Sequence, residues 1–292
     1  MRYKSNLFIP GHTLDRLDRG LNSNASALII DLEDGCPEDK KIDAREELIG
    51  LLKKGNVFTK PLFVRVNDAM NENGRQDIDA LSDFEEQIEA IILPKTQSFD
   101  FLATLAPMIA FENKLVPLIE TPRAVDTVTQ IAAFKGVIGL FFGAADFSAG
   151  MGSKLAWEPL LYARHKVALA AAMYNLFTID APFFYIDDEE GLKEEAEKVK
   201  NLGFTGKAAI HPSQIDFIND AFEPTKEEKE EAKKVLEEYQ KMDGGAVKID
   251  GKMVDEPIAE LYGAIATIPS FNPCQVSCCF QVPSLAAIDL ST

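Results

Sequence analysis

Eight short apolar segments recur along the chain and are rich in Val, Ile, Leu and Phe. They read NLFIP, ALIIDLED, LFVRVN, AIILPK, LVPLIET, VIGLFFG, LFTIDA and GKAAIHP. Their hydrophobicity is continuous and does not alternate, which is typical of strands buried on both faces of a parallel sheet. The pattern therefore predicts eight parallel strands.

The stretches between these segments are long enough for helices and carry apolar residues at helical spacing. Examples are TLDRLDRGLNS, DIDALSDFEEQIE, RAVDTVTQIAAF, EPLLYARHKVALAAAMYN and EEGLKEEAEKVKNLG. Eight successive strand–helix alternations favour an α/β fold of the (β/α)8 TIM barrel type over an open doubly wound sheet. We expect this barrel to occupy residues 1–222.

The pattern changes after the eighth segment. The stretch EPTKEEKEEAKKVLEEYQKM has repeated Glu/Lys pairs four residues apart and predicts an exposed helix. GGAVKIDGKMVDEP predicts a β-hairpin with Asp250-Gly251 at its tip. We assign both to a C-terminal extension, 223–260, and separate from it an atypical tail, 261–292, with almost no charge and three of the four cysteines.

The charge and composition of the chain limit the kinds of partner that the protein can bind. The 292-residue chain has a formal net charge of −17, which argues against nucleic acid or an anionic membrane surface. An anionic substrate would need local Arg and Lys side chains. The N-terminal residues become charged too early for a signal peptide, so we expect a cytoplasmic protein. Cys274, Cys278 and Cys279 have no nearby His to complete a zinc site, and three prolines argue against a membrane helix in the tail.

Polar residues follow most of the predicted strands. In a TIM barrel, these positions converge at one end, where active sites are built. A single residue such as Asp34 or Asp180 could instead cap the next helix. The set is Gly11, His12, Asp31, Glu33, Asp34, Arg65, Asn67, Lys95, Glu120, Asp146, Asp180, Lys207 and His211.

Two carboxylates, Glu120 and Asp146, end consecutive segments and should be neighbours in a barrel. Like charges side by side repel unless a cation or a proton lies between them. Oxygen ligands with open positions suit Mg²⁺, and the small residues 143–145 would let an ion approach the backbone. The alternative is that one acid caps a helix while the other pairs with Arg123 or Arg65.

Three arginines are candidates for binding anionic groups. Arg65 follows a predicted strand and could grip a carboxylate or an enolate oxygen, or form a salt bridge to Glu33 or Asp34. Arg16 and Arg19 lie one turn apart in the first predicted helix and could meet a phosphate. We interpret Lys95 as a charge partner at a strand end, since no motif makes it a nucleophile.

A series of sequence blocks, in order, resembles the citrate lyase β-subunit-like family. This group of acyl-CoA lyases includes citryl-, malyl- and citramalyl-CoA lyases and is related to malate synthase and the HpcH/HpaI aldolases. The resemblance runs from about residue 7 to residue 260. The blocks are LFIPGH, ALIIDLEDGCPEDKKIDAREEL, VRVN, ILPK, LIETPRAV, GAADF, GFTGKAAIHPSQI and GKMVDEP.

The resemblance implies a Mg²⁺-dependent TIM barrel that reversibly cleaves a carboxylate-bearing 3-hydroxyacyl-CoA into an acyl-CoA and an α-keto acid. Glu120 and Asp146 would be the metal ligands, and Arg65 would stabilise the keto acid oxygen or the CoA enolate. Glu33 and Asp34 would hydrogen-bond the waters on the metal.

The family also implies roles outside the metal centre. Arg16, Arg19 and Lys207 become candidate CoA contacts. Residues 223–260 would include a lid that covers the active site of a neighbouring subunit in a homo-oligomer, a trimer or a hexamer. Asp255 in the lid resembles the acid that exchanges a proton with the acetyl carbon, although an Asp before Glu-Pro is also a good helix N-cap.

Two alternatives remain open at this stage. The chain could be a β-subunit-like component that is active only in a complex with an acyl-carrier partner. It could also be a malate synthase-like condensing enzyme, which uses the same residues in the opposite direction. The sequence does not identify the acyl group.

Overall fold

A closed barrel of eight parallel strands forms the core of the protein, in a computed structural model that describes residues 3–55, 57–109, 111, 113–241 and 245–266. Each strand pairs with the next in sequence, and β8 pairs with β1. The predicted TIM barrel is therefore confirmed. The strands are β1 Ser5–Pro10, β2 Ala27–Asp31, β3 Leu62–Arg65, β4 Ala90–Leu93, β5 Leu115–Ile119, β6 Gly139–Phe142, β7 Phe177–Asp180 and β8 Gly206–Ala209.

Helices connect the strands on the outside of the barrel. Short 3₁₀ turns precede or extend several of them, as at Gly11–Arg16 and Pro212–Gln214. The described α-helices are α1 Leu17–Leu21, α2 Lys41–Lys54, α3 Glu72–Ser82, α4 Phe99–Leu105, α5 Pro122–Asp126, α6 Val128–Ala132, α7 Ala144–Met151, α8 Trp157–Tyr174, α9 Glu189–Asn201, α10 Ile215–Phe222, α11 Lys226–Gln240 and α12 Glu256–Ala266.

Alternate strand residues build two apolar layers. One layer fills the barrel and includes Ile29, Phe63 and Leu118. The other packs between strands and helices, and includes Leu28 and Val64. Because side chains alternate along a strand, the residues two positions after the inner layer also point inward, at the carboxyl end of the barrel. Those residues are Asp31, Arg65 and Glu120.

Some helix boundaries differ from those predicted. The helix expected over 77–89 begins five residues earlier at Glu72, because the Asn71 side chain accepts a hydrogen bond from the backbone N–H of Gly74 and caps it. The helix expected over 123–134 is interrupted at Thr127. No helix in the described part of the chain has the length and apolarity needed to cross a membrane.

The described residues divide into two compact units, one up to Lys229 and one from Glu230 onwards. The second contains the expected hairpin, with β9 Val247–Ile249 antiparallel to β10 Lys252–Val254. Asp250 and Gly251 at its tip both have positive φ, 48° and 84°, as a tight two-residue turn requires. Buried Val235, Ile249, Val254 and Ala259 form a small core within this unit. The predicted features of residues 267–292, including the three tail cysteines, lie outside the described residues.

Candidate active site

Arg65 at the end of β3 is held by Asp31 at the end of β2. The two residues are register partners, and the guanidinium donates from Nε to Oδ1 at 2.7 Å and from Nη2 to Oδ2 at 2.6 Å. Asp31 also accepts the backbone N–H groups of Glu33 and Gly35. A Cβ on Gly35 would lie 2.2 Å from Asp31 Oδ2, so only glycine permits this arrangement. Sequence reasoning identified Arg65 but did not assign Asp31 this role.

Glu33 lies beside the same guanidinium, and Asp34 follows it in the chain. Glu33 is 4% exposed, and its Oε2 lies 3.1 Å from Arg65 Nη1, outside hydrogen-bonding geometry. Burial raises the pKa of Glu33 to about 7, against the lowering effect of Arg65. Asp34 is exposed. The alternative salt bridge from Arg65 to Glu33 is therefore present, in addition to the two hydrogen bonds that Arg65 donates to Asp31.

Glu120 and Asp146 meet, as expected, although they belong to different kinds of element. Glu120 follows β5 and is 1% exposed, whereas Asp146 lies in the first turn of α7 and is half-buried. Burial raises the pKa of Glu120 to about 8. Burial also acts to raise the pKa of Asp146, but hydrogen bonds with Lys95 and Glu120 outweigh it and leave that pKa lowered. Phe147 packs on Phe142 of β6, with ring centroids 5.8 Å apart, and fixes α7 against the barrel.

Lys95 lies between these carboxyl groups and is the charge partner that the sequence predicted. Its Nζ is 2.9 Å from Asp146 Oδ2, 3.6 Å from Glu120 Oε1 and 3.8 Å from Glu33 Oε1. Burial alone would lower the pKa of Lys95, but the hydrogen bond to Asp146 and the two glutamates together raise it. The same residue donates its backbone N–H to Glu120 Oε1 at 2.6 Å.

The donor set fits a divalent ion held by two protein carboxylates. No group of three or more His, Cys, Asp or Glu side chains that could hold a metal occurs among the described residues. An ion here would complete its shell with water and substrate oxygens, as Mg²⁺ commonly does. The buried Oε2 of Glu33 accepts no hydrogen bond in the structure and is available to a water on the ion.

Gly143 provides the space beside the two carboxyl groups. A Cβ at this position would lie 2.6 Å from the Cβ of Glu120 and 3.1 Å from its Oε2. The small residue that precedes α7 is therefore required for Glu120 to keep its position. The same lack of bulk allows an ion to approach.

Arg16 and Arg19 are exposed and line one cleft at the carboxyl end of the barrel. Pro10 at the end of β1, Thr13 and residues 210–212 after β8 also line this cleft. The cleft brings together two exposed arginines, which suits an anionic ligand.

The structure does not support the expected role of Lys207 as a CoA contact. The side chain is fully buried, and its Nζ donates to Asp180 Oδ2, to the carbonyl of Ala181 and to Glu195 Oε1 at 2.6–2.7 Å. Arg164 binds the same Asp180 through Nε at 2.8 Å. Lys207 points outward from the barrel into the strand–helix layer, where it stabilises the fold.

Asp255 caps α12 in the second unit. Its Oδ1 accepts the backbone N–H of Ile258 at 3.2 Å, and its carbonyl accepts that of Ala259 at 2.8 Å. The side chain is half-buried. The N-cap interpretation is therefore what the structure shows, and a role as acid stays a prediction.

Comparison with known proteins identifies the relatives of this site. Residues 4–212 match the family HpcH/HpaI aldolase/citrate lyase. A (3S)-malyl-CoA thioesterase of Cereibacter sphaeroides is 31% identical over 87% of this chain and 90% of its own. The human mitochondrial citramalyl-CoA lyase is 28% identical over 86% of this chain and 81% of its own.

A solved structure is also similar across the whole barrel. It is the protein CitE from Mycobacterium tuberculosis in complex with magnesium, acetoacetate and coenzyme A, with a TM-score of 0.78 and 28% identity, covering 90% of this chain and 97% of that one. The relatives named as lyases confirm the predicted enzyme class, a carbon–carbon lyase. The chain belongs to the HpcH/HpaI aldolase/citrate lyase family.

Proposed function

We propose that the protein is a Mg²⁺-dependent acyl-CoA lyase that reversibly cleaves a carboxylate-bearing 3-hydroxyacyl-CoA into an acyl-CoA and an α-keto acid. One observation carries the proposal: Arg65, fixed by Asp31, shares the barrel mouth with the paired carboxyl groups of Glu120 and Asp146. If Glu120 and Asp146 hold a divalent ion, Arg65 is a cationic donor beside it, and such a pair can bind an anionic oxygen.

Glu120 and Asp146 would hold the ion, and Glu33 and Asp34 would receive hydrogen bonds from its waters. When bound, the ion acts as a Lewis acid towards the substrate's oxygens. Arg65 would have a separate role in stabilising negative charge. Asp31 already holds its guanidinium in a fixed orientation, so little reorganisation is needed when negative charge develops nearby.

The reaction balances as a retro-Claisen cleavage. The substrate hydroxyl gives its proton to solvent water, from which Asp255 regains a proton after each turnover. The new carbonyl forms as the C–C bond breaks, and the bond's electron pair passes to the thioester as an enolate. Arg65 stabilises the negative oxygen. Asp255 supplies a proton to the enolate carbon, in line with the acid that the family places in its lid, and the product is the acyl-CoA.

Binding of the CoA group is assigned to the cleft with Arg16 and Arg19. Both side chains are exposed and lie beside 210–212, so they can contact phosphates. Lys207 is left out because it is buried. We further propose a cytoplasmic homo-oligomer, a trimer or a hexamer, in which Asp255 acts on a neighbouring subunit's substrate.

A second candidate function is hydrolysis of malyl-CoA. The observation that favours it is the 31% identity to a (3S)-malyl-CoA thioesterase over most of both chains. Hydrolysis would leave the C–C bond intact and release free CoA with malate. The lyase would release glyoxylate and acetyl-CoA from the same substrate.

One experiment distinguishes these possibilities. Purified protein with Mg²⁺ is incubated with malyl-, citramalyl- and citryl-CoA, and both keto acid and free thiol are measured. Keto acid without free thiol supports the lyase, and free thiol without keto acid supports the thioesterase. Turnover only with an acyl-carrier thioester supports the β-subunit-like component, and no product from any thioester contradicts the proposal.

A further inference from the structure

The ammonium of Lys95 lies in a position where a divalent ion would be expected. It is within 4.0 Å of carboxyl oxygens from Glu33, Glu120 and Asp146, which follow three different strands. The last two are the proposed metal ligands. The cleavage reaction described above makes no use of this lysine.

The turn after β4 determines where this side chain goes. Lys95 has a left-handed backbone, φ 54°, which side-chain-bearing residues seldom adopt. Its backbone N–H is bound to Glu120 Oε1 at 2.6 Å, and the Thr96 hydroxyl donates to the carbonyl of Leu93 at 2.9 Å. These contacts direct the Lys95 side chain across the barrel mouth towards Asp146.

The lysine can also leave this position. Its side chain is 35% exposed, whereas those of Glu33 and Glu120 are 6% and 2% exposed. A four-carbon stem with free rotation lets the ammonium swing to solvent while the backbone stays bound to Glu120. A partly exposed cation thus faces two buried carboxyl groups.

An ammonium and a divalent ion cannot share these oxygens, because like charges a few ångströms apart in a partly buried site repel strongly. We propose that Lys95 is a resident counter-cation, which occupies the divalent-ion position in the metal-free protein and must be displaced when the metal binds. This inference rests on the metal site of the proposed function. It assigns Lys95 a role in setting the affinity and selectivity for the ion.

The proposal predicts that a Lys95→Met variant binds metal more tightly but is less stable when no metal is bound. Without the competing ammonium, the variant should bind Mn²⁺, a spectroscopic substitute for Mg²⁺, about tenfold more tightly than the natural protein. Without the counter-cation, the metal-free variant should melt about 3 °C lower. Saturating Mn²⁺ should remove that deficit, because the ion takes over the same contacts.

The test measures Mn²⁺ dissociation constants by electron paramagnetic resonance, and melting temperatures with and without Mn²⁺, on the full chain and without substrate. Lys53→Met is the matched control, because it removes the same charge from an exposed position in the last turn of α2. It should leave both quantities unchanged. Lys95→Gln removes the charge with a polar side chain and provides a second variant if Lys95→Met folds poorly.

The possible outcomes separate this inference from the proposed function. Tighter Mn²⁺ binding by the Lys95 variants supports the inference, including the case in which only the variants bind. Equal or weaker binding, with binding by the natural protein intact, overturns the inference and leaves the lyase proposal standing. Absence of Mn²⁺ binding in the natural protein and in both variants overturns the inference together with the metal requirement of the proposed function.

Discussion

Asp31 and Arg65 are register partners on neighbouring strands, and the carboxylate holds the guanidinium through two hydrogen bonds of 2.7 and 2.6 Å. Two parallel N–H···O bonds fix both the position and the plane of the guanidinium. The orientation of Arg65, the residue proposed to stabilise the enolate, therefore depends on a residue that need not contact substrate. Asp31 is a positioning residue in this arrangement.

Replacing Asp31 with Asn should affect both stability and turnover. Arg65, whose side chain is 13% exposed, is left with a weaker partner, which should lower the free energy of unfolding by about 3 kcal/mol. Turnover should fall on the order of a hundredfold, with a smaller change in KM, because the loss concerns charge that develops in the transition state. Denaturant unfolding and keto acid release measure the two effects. Asp39→Asn, at an exposed position, is the control, and an unaffected kcat in Asp31→Asn would remove Asp31 from the site.

Replacing Glu120 with Gln or Asp146 with Asn tests the metal ligands. Each variant loses one of two protein carboxylates, so turnover should fall on the order of a thousandfold. The rise in melting temperature that Mg²⁺ causes in the natural protein should disappear as well. Calorimetric titration with Mg²⁺ provides the independent readout. Retained Mg²⁺ binding in both variants would place the ion elsewhere.

Replacing Gly143 with Ala adds one methyl group beside Glu120. Because its Cβ would lie 2.6 Å from the Cβ of Glu120, that side chain must shift. We expect metal affinity to fall about tenfold or more, and stability to fall about 1–3 kcal/mol from overpacking. Gly50→Ala is the matched control, since nothing lies within 4 Å of its added Cβ. Unchanged metal affinity in Gly143→Ala would show that the space is not needed.

The metal-free protein should become less stable as pH rises from about 4.5 to about 8. Glu120 and Glu33 have pKa values raised to about 8 and about 7 by burial, so the folded chain keeps protons that the unfolded chain has already lost in this range. The free energy of unfolding then decreases with pH, by up to about 1.4 kcal/mol per pH unit for each such group. Below about pH 4.5 both states are protonated, and the effect ends. Unfolding curves at several pH values, with Glu120→Gln as the comparison, measure the slope, and an increase in stability over this range would contradict the raised values.

Arg16 and Arg19 should affect CoA binding, whereas Lys207 should affect folding. Alanine at position 16 or 19 should raise KM for the thioester several-fold, with an effect that salt weakens, since exposed phosphate contacts are screened. Lys207→Met leaves Asp180 with one buried cation fewer and should cost about 3 kcal/mol of stability. Its KM should stay unchanged at a temperature where the variant is folded. A raised KM in Lys207→Met, with stability intact, would restore the contact that the sequence predicted.

The barrel was predictable because its signal is strong and repeated. Each strand is a short run of apolar residues that must be buried on both faces, and eight such runs leave few architectures open. Helix limits were less accurate where one side chain decides them, as Asn71 does for α3. The interruption at Thr127 likewise has no apolar pattern to mark it.

The candidate site was predictable to the extent that residues at the carboxyl ends of the barrel strands lie close together. Glu120, Asp146, Arg65 and Glu33 are brought together as expected. The burial of Lys207 was not predicted. The strand sequence GKAA has only small residues beside the lysine, so it does not show whether the lysine side chain points into the barrel or towards the helices. The inward direction of the Asp31 side chain could have been predicted from the alternation of side chains along a strand. Asp31 lies two residues after the inward-facing Ile29, as Arg65 lies two residues after Phe63.

Asp146 belongs to a short helix, whereas its partner Glu120 directly follows the barrel strand β5. The separation of the two oxygen ligands is thus set by how α7 seats on β6, through contacts such as Phe147 with Phe142. Ions of different radius require different separations. If these two carboxylates hold the proposed ion, discrimination between magnesium and larger cations depends on the aromatic packing behind them. Substitutions at that aromatic pair would then alter ion preference without changing either carboxylate.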